Sequence, residues 1–193
     1  MQRIKIQRQG DKVTFNPADQ MVDRVTDGGS FIFENQDAQE SHQPQPDNTT
    51  NTWLDNPILP GEPSTLITAN KTGSYSYHCK LHPAETGVVV APNVITIQME
   101  MIRTGFNPAT QKLNPTTDSG LFVFLNLDQS LSHQPVPDDA SQGTWFANPI
   151  VPGAYSAIKG LTAPGTYNYH CALHPDDPKE KGALTVPQPQ PTT

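Results

Sequence analysis

The sequence has no long hydrophobic segment. None of its apolar runs approaches the roughly 18–20 residues that a membrane-spanning helix requires. The first ten residues, MQRIKIQRQG, also lack the apolar stretch of a signal peptide. The sequence therefore predicts either a cytosolic protein or a mature form that carries an added Met1.

Positive charge and cysteine are also scarce. The 12 lysines and arginines are outnumbered by 19 aspartates and glutamates, which gives a formal net charge of −7. Because nucleic acids and anionic membranes attract positive charge, this balance argues against either as a partner. The two cysteines allow one disulfide at most.

The chain consists of two similar halves. SHQP occurs at 41–44 and again at 132–135, which is 91 residues later, and TWLDNPILPG at 52–61 matches TWFANPIVPG at 144–153. A period of this length is too long for a solenoid of stacked repeats. Each half is therefore expected to fold as a domain with its own core.

Each half has the residue pattern of β-structure. Short runs such as FIFEN and FVFLN are aromatic and β-branched, and YSYHC and YNYHC alternate with a period of two. The 20 prolines and 13 glycines supply turns, and no segment carries a sustained helical stripe. We predict an all-β chain of two tandem Greek-key β-sandwiches, at 1–92 and 93–187, followed by a proline-rich tail at 188–193.

The histidines and cysteines are potential metal ligands. Cys79 and His82 lie at a strand end and in the loop after it, so that a thiolate and an imidazole can bind one ion, and His42 can join them from another strand. Two imidazoles and one thiolate suit blue-type copper with a weak axial group. The second half repeats this set as His133, Cys171 and His174.

Other interpretations of these residues stay open at this point. Zinc also accepts two nitrogens, a sulfur and a carboxylate, although the Irving–Williams order favours copper where copper is available. Cys79 and Cys171 could form a disulfide, but equivalent positions in two separate sandwiches would seldom be neighbours. They could also be buried thiols beside structural histidines.

Each half resembles a cupredoxin, the family of blue-copper proteins. The resemblance runs through FENQD, SHQP, LPGEPS and GSYSYHCKLHPAETGVVV and their counterparts, and the ligand loop is similar to the short loop of amicyanins. It implies one copper ion per half, bound by His42, Cys79 and His82 and by His133, Cys171 and His174. Cupredoxins carry electrons between protein partners, so the resemblance also implies a redox protein as the partner.

The resemblance fails at the axial position. Where the family usually places a methionine two residues before the glycine of the loop, this chain has Glu85 and Glu180. The second loop is also longer by three residues. A carboxylate is a harder ligand, which would favour Cu(II), lower the reduction potential and shift the colour away from blue, as in the red-copper nitrosocyanins. The alternative is that both glutamates point into solvent.

His78 and His170 precede the two cysteines. In related two-domain copper enzymes a histidine at this place can bind a further copper, but such sites need additional histidines, and this chain has no His-x-His pair. Strand neighbours alternate faces, so these side chains should point away from the cysteine side. An oxidase or nitrite reductase is therefore disfavoured relative to an electron carrier.

The prediction is thus a copper protein with two mononuclear sites that transfers electrons. The alternatives are a small-molecule-binding or weakly catalytic copper protein of the red type, and a protein that sequesters copper. Because cupredoxins usually work outside the cytoplasm, the resemblance implies a periplasmic or extracellular location. The oligomeric state is undetermined by the sequence.

Overall fold

The computed structural model describes residues 1–48, 52–100 and 103–189. The chain divides into two compact units, Met1–Pro92 and Asn93–Thr193. Of the predicted proline-rich tail, residues 190–193 lie outside the described part of the chain. Within the described ranges, no helix is long and apolar enough to cross a membrane.

The first unit contains eight strands in two four-stranded sheets. The strands are β1 Gln2–Gln9, β2 Lys12–Asn16, β3 Asp19–Met21, β4 Ser30–Asn35, β5 Pro44–Pro46, β6 Ile67–Thr68, β7 Gly73–Cys79 and β8 Thr86–Ala91. One sheet has the order β2-β1-β4-β6 and the other β3-β8-β7-β5. Strands β1 and β4 are parallel, whereas β7 is antiparallel to both of its neighbours.

The second unit repeats this arrangement. Its strands are β9 Asn93–Glu100, β10 Arg103–Asn107, β11 Thr110–Lys112, β12 Leu121–Asn126, β13 Pro135–Pro137, β14 Lys159–Gly160, β15 Gly165–Cys171 and β16 Lys181–Val186. The sheet orders are β10-β9-β12-β14 and β11-β16-β15-β13, and a short 3₁₀ turn spans Ala140–Gln142. The predicted all-β fold with two sandwich-like halves is confirmed.

Each core lies between its two sheets and contains a cluster of packed aromatic rings. In the first unit Phe33 of β4 faces Tyr77 of β7 with ring centroids 5.3 Å apart, and Phe15 packs edge-on against both rings. Burying such a side chain stabilises a fold by about 1.5–3 kcal/mol. The alternation along β7 buries Tyr77 and Cys79 and turns His78 outward. The core-facing side of this strand therefore ends at the cysteine.

Candidate metal centres

In the first unit, four donor side chains converge at one end of the sandwich. The Nδ1 atoms of His42 and His82 are 3.2 Å apart, and the Cys79 Sγ lies 3.8 Å and 3.6 Å from them, respectively. The Glu85 carboxylate lies 2.9 Å from the His42 Nδ1. His42 and Cys79 are fully buried, and the His82 side chain is 31% exposed.

The second unit places its counterparts in the same way. The Cys171 Sγ is 3.8 Å from the Nδ1 of His133 and 3.5 Å from that of His174. One Glu180 oxygen lies 3.0 Å and 3.1 Å from the same two nitrogens. In each unit the four potential ligand atoms lie within 4.8 Å of one another. The eight side chains singled out in the sequence thus form two clusters.

The spacing of these donor atoms fits a metal ion. Bonds of about 2.0–2.1 Å to nitrogen and about 2.3 Å to sulfur, at near-tetrahedral angles, separate nitrogen from sulfur by roughly 3.6 Å and nitrogen from nitrogen by roughly 3.3 Å. The sulfur–nitrogen distances of 3.5–3.8 Å and the nitrogen–nitrogen distance of 3.2 Å agree with these values. The donor set and its spacing therefore fit a copper or zinc ion.

Two successive turns, each closed by a hydrogen bond to the carbonyl three residues earlier, build the loop of the first centre. The His82 N–H donates to the Cys79 carbonyl, and the Glu85 N–H donates to the His82 carbonyl, at 3.1 Å and 2.9 Å. The Cys79 N–H closes the loop on the Glu85 carbonyl at 2.9 Å. Residues 79, 82 and 85 therefore lie on the same side of the loop.

The longer second loop keeps this arrangement by adding one more turn. Its turns run from Cys171 to His174, from His174 to Asp177 and from Asp177 to Glu180, with N–H to carbonyl distances of 3.1–3.2 Å. Because the insertion is three residues long, it adds one complete turn and returns Glu180 to the donor cluster. The alternative in which both glutamates point into solvent is wrong.

The first histidine of each centre is held by backbone pairing. His42 exchanges two hydrogen bonds with Ile58, at 2.7 Å and 3.1 Å, and the buried Asn35 amide donates to the Ile58 carbonyl at 3.0 Å. The next residue, Gln43, donates its N–H to the Cys79 Sγ at 3.3 Å. The second unit has the same bridge between His133 and Ile150. The ring position is thus fixed by the sandwich itself.

A buried carboxylate lies behind this histidine in each unit, and it was not among the residues predicted from the sequence. The Asp37 carboxylate is 3.1 Å from the His42 Nε2, and the Asp128 carboxylate is 3.4 Å from the His133 Nε2. Such an outer partner fixes the tautomer of a metal-binding histidine and raises its basicity. The two aspartates could have been predicted from the repeat, because they end the matched stretches FENQD and FLNLD.

The two thiols differ in their electrostatic surroundings. Burial opposes ionisation of both, but hydrogen bonds from His42 and from the Gln43 N–H hold the pKa of Cys79 below its ordinary value. In the second unit burial and the neighbouring Glu180 carboxylate raise the pKa of the Cys171 thiol to about 11. The first centre therefore favours a thiolate more strongly.

The remaining sequence candidates lie outside the two clusters. Both cysteines are free, so the disulfide interpretation is wrong. His78 and His170 point away from the cysteine side of their strands, and the His78 Nδ1 lies 2.6 Å from the Asp47 carboxylate. The His170 Nδ1 makes the matching contact with the Asp138 carboxylate.

Several solved structures are similar to one half of this chain. They include a purple cupredoxin from Nitrosopumilus maritimus, which is 19% identical with a TM-score of 0.37 and is matched over 47% of this chain and 99% of that chain. An amicyanin from Paracoccus versutus is 18% identical, over 47% and 79%, with a TM-score of 0.38. A mutant fern plastocyanin is 21% identical, over 48% and 98%, with a TM-score of 0.39.

No protein-family model and no curated protein matches the sequence. All three similarities lie below 25% sequence identity and cover one half of the chain. At these identities the chemistry of the two centres has to follow from their own side chains.

Proposed function

We propose that each half of this protein binds one copper ion and that the protein carries electrons. The first ion would be held by His42, Cys79, His82 and Glu85. The second ion would be held by His133, Cys171, His174 and Glu180. The observation that carries the proposal is the convergence of two imidazole Nδ1 atoms and a thiol, formed twice with nearly the same distances.

The donor chemistry supports copper over harder cations. Thiolate and imidazole ligands select soft and borderline metals, and the affinity order of divalent ions peaks at Cu²⁺. Bound copper would supply a one-electron Cu(I)/Cu(II) couple. Zinc would fit the same donors but has no redox chemistry, so the two metals predict different properties for the loaded protein.

The arrangement of the side chains supports electron transfer. His42 and Cys79 are anchored by β-pairing in a buried end of the sandwich, so little movement is expected when the charge of the centre changes. His82, in contrast, is 31% exposed and follows Leu81, which is 46% exposed. The second unit exposes Leu173 and His174 to similar extents. A redox protein could approach the centre over this edge.

The glutamates are proposed as the fourth ligands. The Glu180 side chain is 4% exposed and contacts both histidines of its centre. The Glu85 side chain is 10% exposed and lies closer to His42 than to His82. A carboxylate in this place stabilises the more highly charged Cu(II) form. The reduction potentials should therefore lie below those of sites with an axial methionine.

The decisive experiment is metal reconstitution of the purified protein. Cu(II) is added to the metal-free chain, copper is counted per chain, and visible absorption and EPR spectra are recorded. An intense thiolate-to-copper band with two coppers per chain is expected, as is reversible one-electron cycling. Absence of this band while both thiols stay free would rule the proposal out. Tight Cu(I) binding without reversible cycling would instead indicate copper sequestration.

Single-centre variants provide the matched controls. Cys79→Ser should leave one copper, bound by the second unit, and Cys171→Ser should leave one copper, bound by the first. The double variant should show no thiolate band.

A location outside the cytoplasm, in the periplasm or at the cell exterior, is part of the proposal, because copper is accessible there.

A second function is favoured by one observation in the first unit. A groove with a volume of about 490 Å³ lies beside the first centre, and its lining includes Lys12, Thr14, Phe15, His82 and Glu85. A small molecule could reach the metal ligands from this side. The first centre is therefore also a candidate binding site for a small molecule.

The extra turn of the second loop occupies the matching place. The Lys179 carbonyl accepts a hydrogen bond from the Phe106 N–H at 3.4 Å, and a Cβ added to Gly105 would lie 3.1 Å from the same oxygen. Azide should therefore change the spectrum of copper-loaded Cys171→Ser and leave that of Cys79→Ser unaltered. Equal responses, or none, would refute this second function.

A further inference from the structure

The two centres differ in the charge that lies behind their first histidine. In the first unit Arg8 binds the Asp37 carboxylate with two hydrogen bonds, from Nε at 3.0 Å and from a terminal nitrogen at 2.7 Å. Asp37 is fully buried and also contacts the His42 ring, so a guanidinium, a carboxylate and an imidazole form a continuous chain. Such bidentate pairs are among the stronger ionic hydrogen bonds.

The second unit satisfies the equivalent carboxylate with neutral donors. Asp128 accepts hydrogen bonds from the Thr104 hydroxyl at 2.7 Å and from the N–H groups of Ser130 and Leu131 at 2.8 Å and 3.1 Å. Within the described ranges Asp128 also contacts the His133 imidazole, and no lysine or arginine forms an ion pair with it. The charge of Asp128 is therefore not balanced by a cation.

The difference between the two carboxylate environments comes from two equivalent strand positions of the repeat. Arg8 pairs with Val13 across β1 and β2, and the matching pair across β9 and β10 is Met99 with Thr104. Two substitutions thus convert one arrangement into the other. They lie in strands outside the ligand loops, and none of the four residues is a proposed metal ligand.

From this difference we infer that Arg8 raises the reduction potential of the first copper centre above that of the second, so that electrons fill the first centre first. The inference rests on the proposed function. Reduction adds a negative charge to a centre, and a fixed positive charge close by stabilises the reduced state. Arg8 acts through Asp37 and His42 and is a positioning residue of the first centre.

A negative charge near the first centre opposes the effect of Arg8 on the reduction potential. Glu40 also accepts a hydrogen bond from Arg8, and its carboxylate lies 3.7 Å from the His82 Nε2. Its side chain is 50% exposed, however, whereas that of Arg8 is 22% exposed. Water and salt screen the more exposed charge more strongly, so the contribution of Arg8 at His42 dominates.

The test is a redox titration of the copper-loaded protein, followed by the absorption of each centre. Wild type should show two one-electron steps, and Cys171→Ser should retain the higher one. Arg8→Met should lower the ratio of reduced to oxidised first centre at a fixed potential by about tenfold, which is about 59 mV for one electron. Arg8→Lys keeps the charge and should shift this ratio by less than about threefold.

The reciprocal variant provides a gain-of-function control. Met99→Arg combined with Thr104→Val copies the first unit into the second and should raise the lower potential, which is measured alone in the Cys79→Ser background. The inference would be overturned if Arg8→Met left the potential of the first centre unshifted. It would also be overturned if the second centre, measured in Cys79→Ser, had a higher potential than the first, measured in Cys171→Ser. Neither result would contradict copper binding. Failure of wild type to bind copper would overturn the inference together with the proposed function.

Discussion

Removing the phenol oxygen of Tyr77 or Tyr169 should stabilise the domain that contains it. Both hydroxyls are completely buried, and neither has a hydrogen-bond partner among the described residues. Each oxygen is packed against the glycine that faces it on the next strand, Gly87 or Gly182. The rings fill the core, but on folding each hydroxyl loses its hydrogen bonds to water and forms none with the described residues.

The magnitude follows from two opposing contributions. A buried hydroxyl without a partner costs roughly 1–3 kcal/mol in mutational data. Deleting one oxygen leaves a void of roughly 10–15 Å³, which at about 24 cal/mol per Å³ costs about 0.3 kcal/mol. Tyr77→Phe and Tyr169→Phe should therefore each raise the free energy of unfolding by about 1 kcal/mol. For a domain of this size that is a rise in Tm of about 4–8 °C.

The assay is urea unfolding of the metal-free chain, followed by circular dichroism. Each variant should shift the transition of its own domain, and the two shifts should add within about 0.5 kcal/mol in the double variant because the residues lie in separate cores. Tyr75→Phe and Tyr167→Phe are the matched controls. Their hydroxyls donate to the carbonyls of Lys71 and Ala163 at 2.6 Å and 2.7 Å.

The controls should lose stability by about 0.5–1 kcal/mol, because each gives up a formed hydrogen bond. If Tyr77→Phe destabilised its domain as much as Tyr75→Phe does, the core hydroxyl would have to be hydrogen-bonded in solution, and the reasoning would be refuted. A gain in the double variant alone, absent from both single variants, would contradict it as well.

Three further predictions concern the glycines after the ligand loops, the metal sites and the carboxylate ligand of the first centre. Gly87→Ala and Gly182→Ala should each cost at least about 1–3 kcal/mol, since the added Cβ would lie 2.4 Å from a buried phenol ring; an unchanged urea midpoint would contradict this. Zn²⁺ at 100 times its Kd should stabilise each domain by about 2.7 kcal/mol, and a chelator should reverse the gain; an unchanged Tm would argue against a metal site. Glu85→Met in the Cys171→Ser background should move the thiolate band towards that of blue copper sites, and an unmoved band would show that the carboxylate is no ligand.

The similarity between the two halves explains why so much could be predicted without a structure. Cys79 and His82 are three residues apart, so local turn geometry is enough to bring them together, and the recurrence as Cys171 and His174 argued against chance. The alternation around Tyr77 and Cys79 likewise identified the buried face of the strand. Information of this kind is local, and a repeat shows it twice.

The all-β class, the two halves and the histidine–cysteine sets could therefore be predicted without a structure, because strand periodicity and short spacings are local properties of the chain. The direction of the two glutamate side chains required the folded structure, since the direction of Glu180 depends on a complete added turn. The folded structure also establishes the contact between Asp37 and Arg8, which are 29 residues apart in the chain and meet because parallel pairing sets β1 beside β4. Long-range pairing brings such charges together, and no local pattern encodes it.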